Sequence, residues 1–248
     1  MLHSFEIWIS ARRGARPPGG GPHSVGGAAL LYPFGMRLVR EFERRMDGLL
    51  EGWASRVFSG PLHPTELATR LIRTADLSLN DDLVSHNYFE IAIPDPGEGA
   101  APLRLIDELQ RLVEDAAMER GWRMNGPASV TIRTDPSVRK GSVYVTSGLA
   151  PGQRPAWAVL RRDGELVPIT VNRAVIGRDS RCDAVLDHDQ ISRRHARIWT
   201  ESGTVKVEDL GSSNGTGIDG SEVGSSPVEC EYGSVIRLAD LNYRLEAI

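Results

Sequence analysis

The chain has 248 residues, of which 40% are hydrophobic and 25% charged, a balance that is typical of a folded globular protein and excludes a disordered or membrane-embedded one. Its formal net charge of −4 argues against bulk attraction to nucleic acid or to an anionic membrane. With only Cys182 and Cys230 and no Cys/His cluster, we expect neither a disulfide framework nor a metal site, and we expect a reducing cytoplasmic location.

Residues 1–35 are predicted to be a disordered leader. The stretch 12–22 is built from Arg, Gly and Pro, and it has too few apolar side chains to offset the entropy lost on ordering. Met36 stands directly before the first well-patterned helix. Two interpretations therefore stay open: translation begins near Met36, or the leader is a genuine flexible tail.

Residues 36–147 are predicted to form an α+β domain with the order ααβαββ. Apolar residues at three- and four-residue spacing indicate a long first helix, and a second helix starts near Thr65. A strand at 87–93 and a helix at 103–120 follow. Strands at 130–132 and 143–145 close the domain, as a hairpin around Asp135 and Pro136. The apolar face of the first helix comprises Leu38, Phe42, Met46, Leu49, Trp53 and Val57.

Residues 148–156 are predicted to be a short Pro/Gly linker, and residues 157–248 an all-β sandwich. Helical periodicity ends at the linker, and short apolar runs then alternate with Gly, Asn, Asp and Ser. Residues 155–248 carry 11 Lys and Arg against 15 Asp and Glu, a balance of −4. Any anion site in this domain must therefore be a local cluster of cations within a mildly repulsive field.

Three short motifs fall in loops of the predicted sandwich. Ile176–Arg178 ends a strand, Ile191–Ala196 enters the next core strand, and Asp209–Thr216 is a turn. Together they offer guanidinium groups, hydroxyls and a carboxamide. Arginine presents a planar fork that matches phosphate oxygens, and asparagine both donates and accepts, so it can clamp a peptide main chain. The trio is typical of a site for a phosphorylated peptide.

With these GR, SRRH and SSNGT motifs in this order, residues 155–248 resemble the forkhead-associated (FHA) family. The resemblance implies a two-sheet sandwich whose loops at one end bind phosphothreonine peptides. It assigns the phosphate to Arg178, with a hydroxyl from Ser192 and a second cation from Arg193. It places Ser213 beside the phosphothreonine and Asn214 on the peptide main chain.

The resemblance also implies supporting residues. Gly177 and Gly215 are expected to be structural turn glycines, and His195 is expected to brace the binding loops. Gln190 lies near the position that reads a residue C-terminal to the phosphothreonine, and Arg194 is expected to be an ordinary surface charge.

An enzyme is not expected. Ser192 and His195 are three residues apart on an extended segment, so their side chains point to opposite faces, and no acid orients the pair. No catalytic residue, cofactor or metal is therefore predicted.

The first domain resembles, over residues 37–73, the DUF3662-like domain that precedes FHA in an actinobacterial cytoplasmic family. Members of that family are substrates and partners of serine/threonine kinases linked to cell-wall synthesis and division. The resemblance implies an adaptor for phosphothreonine-containing proteins, namely a kinase or its substrates. Longer members carry a long linker, whereas the short linker here predicts two domains close together.

Nucleic-acid binding by the first domain is the alternative. Its first helix carries Arg37, Arg40, Arg44 and Arg45. Against it, residues 36–154 hold 15 basic and 17 acidic residues and no GXXG clamp.

Overall fold

Three helices and a three-stranded sheet form the N-terminal domain of the structure, a computed structural model that describes residues 34–46, 64–95, 101 and 103–248. Within these residues the predicted order ααβαββ is confirmed. Residues 1–33 of the predicted leader 1–35 and the predicted helical positions Leu49, Trp53 and Val57 lie outside the described residues, whereas Phe34 and Gly35 belong to the first helix. The elements are α1 (Phe34–Met46), α2 (Pro64–Leu77), β1 (Tyr88–Ile93), α3 (Leu103–Arg120), β2 (Ser129–Thr134) and β3 (Tyr144–Gly148).

A single apolar core joins these helices to the sheet. The spacing of Leu38, Phe42 and Met46 places all three side chains on the buried face of α1. They share the core with Leu71 of α2 and Leu109 of α3, both of which are completely buried. None of the helices in the described ranges is both long and apolar enough to cross a membrane.

The predicted hairpin between β2 and β3 is wrong. The strand order is β2-β1-β3, with β2 parallel and β3 antiparallel to β1. The segment 135–143 between the two strands is longer than a tight turn, and it crosses the end of β1, where the Asp135 N–H donates to the Ile93 carbonyl at 2.8 Å. Strand β1 takes the centre because Phe89, Ile91 and Ile93 are all buried, and a central strand buries more apolar surface than an edge strand.

The C-terminal domain is a two-sheet β-sandwich, as predicted. One sheet has six strands in the order β11-β10-β13-β14-β4-β5, and the other has five in the order β12-β9-β8-β6-β7. The strands are β4 (Ala158–Arg162), β5 (Glu165–Ile169), β6 (Ala174–Gly177), β7 (Ala184–Val185), β8 (Ala196–Glu201), β9 (Thr204–Asp209), β10 (Thr216–Ile218), β11 (Ser221–Val223), β12 (Val228–Cys230), β13 (Val235–Leu238) and β14 (Leu241–Ala247).

Alternating side chains fill the space between the two sheets. In β9, for example, Val205, Val207 and Asp209 are buried while the residues between them are half-buried. Strands β10, β11 and β12 were not predicted. Each has only three residues, which is too few for an alternating pattern to be visible.

The two domains contact each other directly. The connecting segment is tied to the first domain by the Asn87 side chain, which donates to the Ala150 carbonyl at 2.8 Å and accepts from the Ala150 N–H at 2.9 Å. Arg123 donates from both terminal nitrogens to the Asp183 carboxylate of the sandwich at 2.8 and 2.7 Å. The contact places the first domain beside the segment that follows Arg178.

Candidate functional site

The loops at one end of the sandwich surround a cleft of about 560 Å³. One wall follows β6, a second precedes β8, and a third is the turn between β9 and β10. All five side chains predicted to bind peptide line this cleft: Arg178, Ser192, Arg193, Ser213 and Asn214. The fold therefore brings together residues that lie up to 36 positions apart in the chain.

The two predicted phosphate-binding arginines are held through their main chains. The Arg178 N–H donates to the Ser192 carbonyl at 3.1 Å, and the Asp179 N–H donates to the Arg193 carbonyl at 3.2 Å. Both arginine residues are exposed, and neither guanidinium group forms an ion pair with a carboxylate among the described residues. Two cations thus stand open to an anionic ligand on fixed backbone.

The hydroxyl and carboxamide groups of the cleft are partly engaged with the protein itself. The Ser213 N–H donates to Ser192 Oγ at 3.0 Å, which leaves the Ser192 hydroxyl proton to donate elsewhere. Asn214 Nδ2 donates to the Gln190 carbonyl at 2.8 Å. The Asn214 side chain is thereby oriented, and its carboxamide oxygen remains an acceptor for a peptide N–H.

A close approach of backbone at Gly177 fixes the distance between two walls of the cleft. A Cβ atom at this position would lie 2.3 Å from the Arg193 carbonyl oxygen. No other residue type fits without moving the strand, since real Cβ contacts are not that short. The glycine of the first motif therefore sets the position of Arg178 relative to Arg193.

His195 is completely buried and joins the wall that precedes β8 to the wall formed by the turn between β9 and β10. Its Nδ1 accepts from the Ser192 N–H at 3.1 Å, and its Nε2 donates to the Gly215 carbonyl at 3.1 Å. This arrangement requires the neutral imidazole, and burial accordingly lowers the pKa of His195. Because both ring nitrogens bind backbone groups, the imidazole does not act as a base on the Ser192 hydroxyl.

Asp209 organises the third wall, and sequence analysis missed it. Its carboxylate accepts from the N–H groups of Gly211 and Ser212 at 2.8 Å each, and from the hydroxyls of Ser212 and Thr216 at 2.6 Å each. Burial by itself raises the pKa of Asp209, but these hydrogen bonds outweigh it, and the pKa is lowered. An Asp two residues before a Gly–Ser pair, as in Asp209-Leu210-Gly211-Ser212, is a recognisable turn signal that was available in the sequence.

Two further arginines line the cleft, and they differ in whether a carboxylate pairs with them. Arg181 is bound in an ion pair by Asp179, with N···O distances of 2.7 and 3.0 Å. Arg194 is exposed and lines both this cleft and a neighbouring groove.

A sandwich with these three loop motifs around one arginine-lined cleft defines the FHA class of interaction domains. The FHA domain model matches residues 174–239, and the model of the FhaA N-terminal domain matches residues 39–146. The chain is therefore an FHA-domain protein with a FhaA-type N-terminal domain. Both domain types are interaction modules.

Known proteins that resemble the chain do so over part of its length. The chain is 30% identical over 132 residues to the protein phosphatase 1 regulatory inhibitor subunit PPP1R8 homolog of Arabidopsis thaliana, which covers 46% of this chain. The match spans only 36% of that curated relative's length.

Two solved structures are similar to the sandwich. The FhaA FHA domain complexed with the intracellular domain of Rv3910 is 26% identical, with a TM-score of 0.32, and covers 36% of this chain and 97% of that one. The MEK1 FHA domain in complex with a HOP1 phosphothreonine peptide is 25% identical, with a TM-score of 0.32, and covers 37% of this chain and 97% of that one.

Proposed function

We propose that the chain is a phosphothreonine-peptide-binding adaptor that catalyses no reaction. The observation that carries this proposal is the pair of exposed guanidinium groups, Arg178 and Arg193, held on fixed backbone without an ion-pair partner among the described residues. The resemblance to FHA domains assigns such a pair to a phosphate. A phosphate dianion offers three acceptor oxygens to the arginine forks.

The other cleft residues complete the proposed site. Ser192 supplies a hydroxyl to the phosphate, Ser213 lies beside the phosphothreonine, and Asn214 holds the peptide main chain through its free carboxamide oxygen. An acidic side chain carries less charge and fewer acceptors than a phosphate, so Glu mimics of the phosphothreonine bind poorly.

The proposed partners are phosphothreonine-containing proteins of serine/threonine kinase signalling, either a kinase or its substrates. We also propose a link to cell-wall synthesis or division, on the resemblance of the FhaA-type N-terminal domain to that of a family of kinase substrates and partners. The expected location is the cytoplasm, where such kinases phosphorylate their targets.

Contacts within the first domain disfavour nucleic-acid binding. Arg37 of α1 pairs with Glu119 at 3.1 Å, and Arg45 pairs with Glu41 at 2.6 Å and with Glu108 at 3.5 Å. Half of the four arginines that suggested a basic helix are thus neutralised by acidic neighbours, and a continuous cationic face does not form.

The decisive test is a titration of the whole chain with a phosphothreonine peptide library, with unphosphorylated and phosphoserine libraries as controls. We expect binding that requires phosphothreonine and that falls about 30-fold or more in Arg178→Ala, since removing one partner of a charge-assisted pair costs ~2–5 kcal/mol. Arg181→Ala is the matched control, because Arg181 lines the same cleft but is already paired with Asp179. Its affinity should stay within about threefold of the parent.

Two results would refute the proposal. One is a folded parent protein that does not bind any phosphothreonine peptide. The other is an equal loss of affinity in Arg178→Ala and Arg181→Ala, which would mean that the cleft attracts phosphopeptides through its overall positive charge and not through a specific contact to Arg178.

A further inference from the structure

A second cavity, of about 420 Å³, lies where the N-terminal domain meets the sandwich, and we call it the interdomain groove. Asp82, Val84 and Arg123 of the first domain form one side of it. The other side belongs to the sandwich. The groove adjoins the FHA cleft, because Asp179, Arg181 and Arg194 line both cavities.

Positive charge in the interdomain groove exceeds what its acids neutralise. Two of the lining arginines are occupied, since Arg123 is paired with Asp183 and Arg181 with Asp179. The lining arginines are Arg123, Arg173, Arg181, Arg194 and Arg197, against the acids Asp82, Asp179 and Asp183.

The other three arginines have weak partners or none among the described carboxylates. Arg197 reaches only Glu208, its cross-strand neighbour, at 3.4 Å. Arg194 is exposed and forms no ion pair within the described ranges. These two guanidinium groups and that of Arg173 line one cavity whose remaining unpaired acid is Asp82.

Arg173 shows the effect of several arginines lining one cavity. Its guanidinium group stacks over the Trp199 ring at 4.6 Å and donates to the Gly121 carbonyl at 3.5 Å, without a described carboxylate at ion-pair distance. Burial and the neighbouring charge of Arg197 lower the pKa of Arg173. A bound anion would stabilise both cations, because it adds to the counter-charge that Glu208 supplies only weakly at 3.4 Å from Arg197.

We propose that the interdomain groove is a second anion site, which takes a phosphorylated side chain of the same peptide whose phosphothreonine occupies the cleft. This inference rests on the proposed function. A phosphate fits better than a carboxylate, because adjacent arginine forks match its three oxygens. The site exists only where the two domains meet, because Asp82, Val84 and Arg123 of the FhaA-type domain form one side of it.

Linking the two phosphates in one peptide makes the second contact intramolecular. An extended peptide advances ~3.3–3.6 Å per residue, so a phosphate a few residues from the phosphothreonine is carried along the shared wall. Because the second contact forms at high effective concentration, we expect a doubly phosphorylated peptide of the right spacing to bind about tenfold more tightly than the singly phosphorylated one.

The test uses a phosphothreonine peptide whose other residues are uncharged. One phosphoserine is moved residue by residue along both flanks, and the affinity of the whole protein chain for each peptide is measured. The informative variant is Arg197→Gln, since Arg197 lines the groove but not the cleft. We expect it to abolish the tenfold gain and to leave the singly phosphorylated peptide unaffected. Arg161→Gln is the matched control, because Arg161 also pairs across strands, with Glu246 at 2.8 Å, and lines neither cavity.

A variant that is expected to increase the affinity distinguishes a specific loss of binding from a loss caused by misfolding. Glu208→Gln removes the carboxylate that competes for Arg197, so we expect the doubly phosphorylated peptide to bind about threefold more tightly to this variant than to the parent. Misfolding cannot produce such a gain.

The outcomes separate the two proposals. If the singly phosphorylated peptide binds and no phosphoserine position adds affinity, the groove proposal is wrong and the proposed function stands. A gain that survives equally in Arg197→Gln and Arg161→Gln overturns the groove site in favour of general charge attraction. If no phosphothreonine peptide binds, both proposals fail.

Discussion

Arginine has two different roles in the cleft and at the contact between the domains. At the domain contact, Arg123 binds the Asp183 carboxylate through two hydrogen bonds, and Arg154 pairs with Glu114 and donates to the Gly126 carbonyl at 2.8 Å. In the cleft, Arg178 and Arg193 have no such partner among the described residues. Arginine side chains thus join the two domains at their contact, whereas in the cleft they remain available to bind a ligand.

What distinguishes the two regions is how the arginine is held. A paired guanidinium group is fixed by its own salt bridge, and a ligand phosphate would first have to displace the carboxylate. Arg178 and Arg193 are instead positioned by main-chain hydrogen bonds, which leave the charge available. Solvent screening of exposed charges keeps the repulsion between such cations small.

Breaking the backbone scaffold of the cleft should have the largest effect. In Gly177→Ala the new methyl group meets the Arg193 carbonyl at 2.3 Å. We expect a loss of about 3 kcal/mol in the free energy of unfolding, as for overpacked cores, together with weaker phosphopeptide binding. Chemical denaturation and peptide titration of the same samples measure both quantities.

The control for this prediction is Gly224→Ala, in the same domain, where an added Cβ has no atom within 4 Å. Equal stability of the two variants would show that the short contact does not hold the cleft walls in place.

Removing a paired arginine should give a smaller and different effect. Arg123→Ala leaves the partly buried Asp183 carboxylate without its cation, so we expect unfolding to become easier by about 1–3 kcal/mol. The affinity of Arg123→Ala for a singly phosphorylated peptide should stay within about threefold of the parent. Arg178→Ala should show the reverse pattern: it should lose peptide binding, while its free energy of unfolding changes by less than about 0.5 kcal/mol.

Arg133→Ala serves as the control, since its ion pairs with Glu90 and Asp135 lie on the exposed surface and we expect no measurable change. If Arg123→Ala abolished binding of the singly phosphorylated peptide, the division between structural and ligand-binding arginines would be untenable.

The smallest effect is expected at the turn behind Ser213 and Asn214. Asp209→Asn replaces a carboxylate that accepts four hydrogen bonds, and should lower the free energy of unfolding by about 1–2 kcal/mol at neutral pH. The folded pKa of Asp209 lies below its ordinary value of 3.8. Its stabilisation is therefore fully present above that value and is lost as the pH falls through the folded pKa.

The difference in stability between the parent and Asp209→Asn should consequently stay constant from about pH 7 to about pH 4 and shrink as the pH falls further, to about pH 2. Urea denaturation of both proteins across this range measures it. A difference that stayed constant with pH would show that the carboxylate charge at Asp209 contributes nothing to the turn.

Local sequence patterns predicted most of the fold. The three-residue and four-residue spacing of Leu38, Phe42 and Met46 is enough to define the inner face of α1. Longer strands such as β9 show their alternation in the sequence. The patterns failed where the outcome depends on competition between segments: β2 and β3 flank β1 instead of pairing with each other, because the more apolar β1 takes the centre.

Three short sequence motifs were enough to predict five of the residues that line the cleft. Arg178, Ser192 and Asn214 belong to short motifs whose residue types and order define an FHA domain. The sequence could not show which arginines are neutralised, since Arg123 and Asp183 are 60 positions apart and meet only when the domains dock. Coulomb attraction depends on distance in space, so the tertiary structure alone decided which guanidinium groups remain for a ligand and created the groove between the domains.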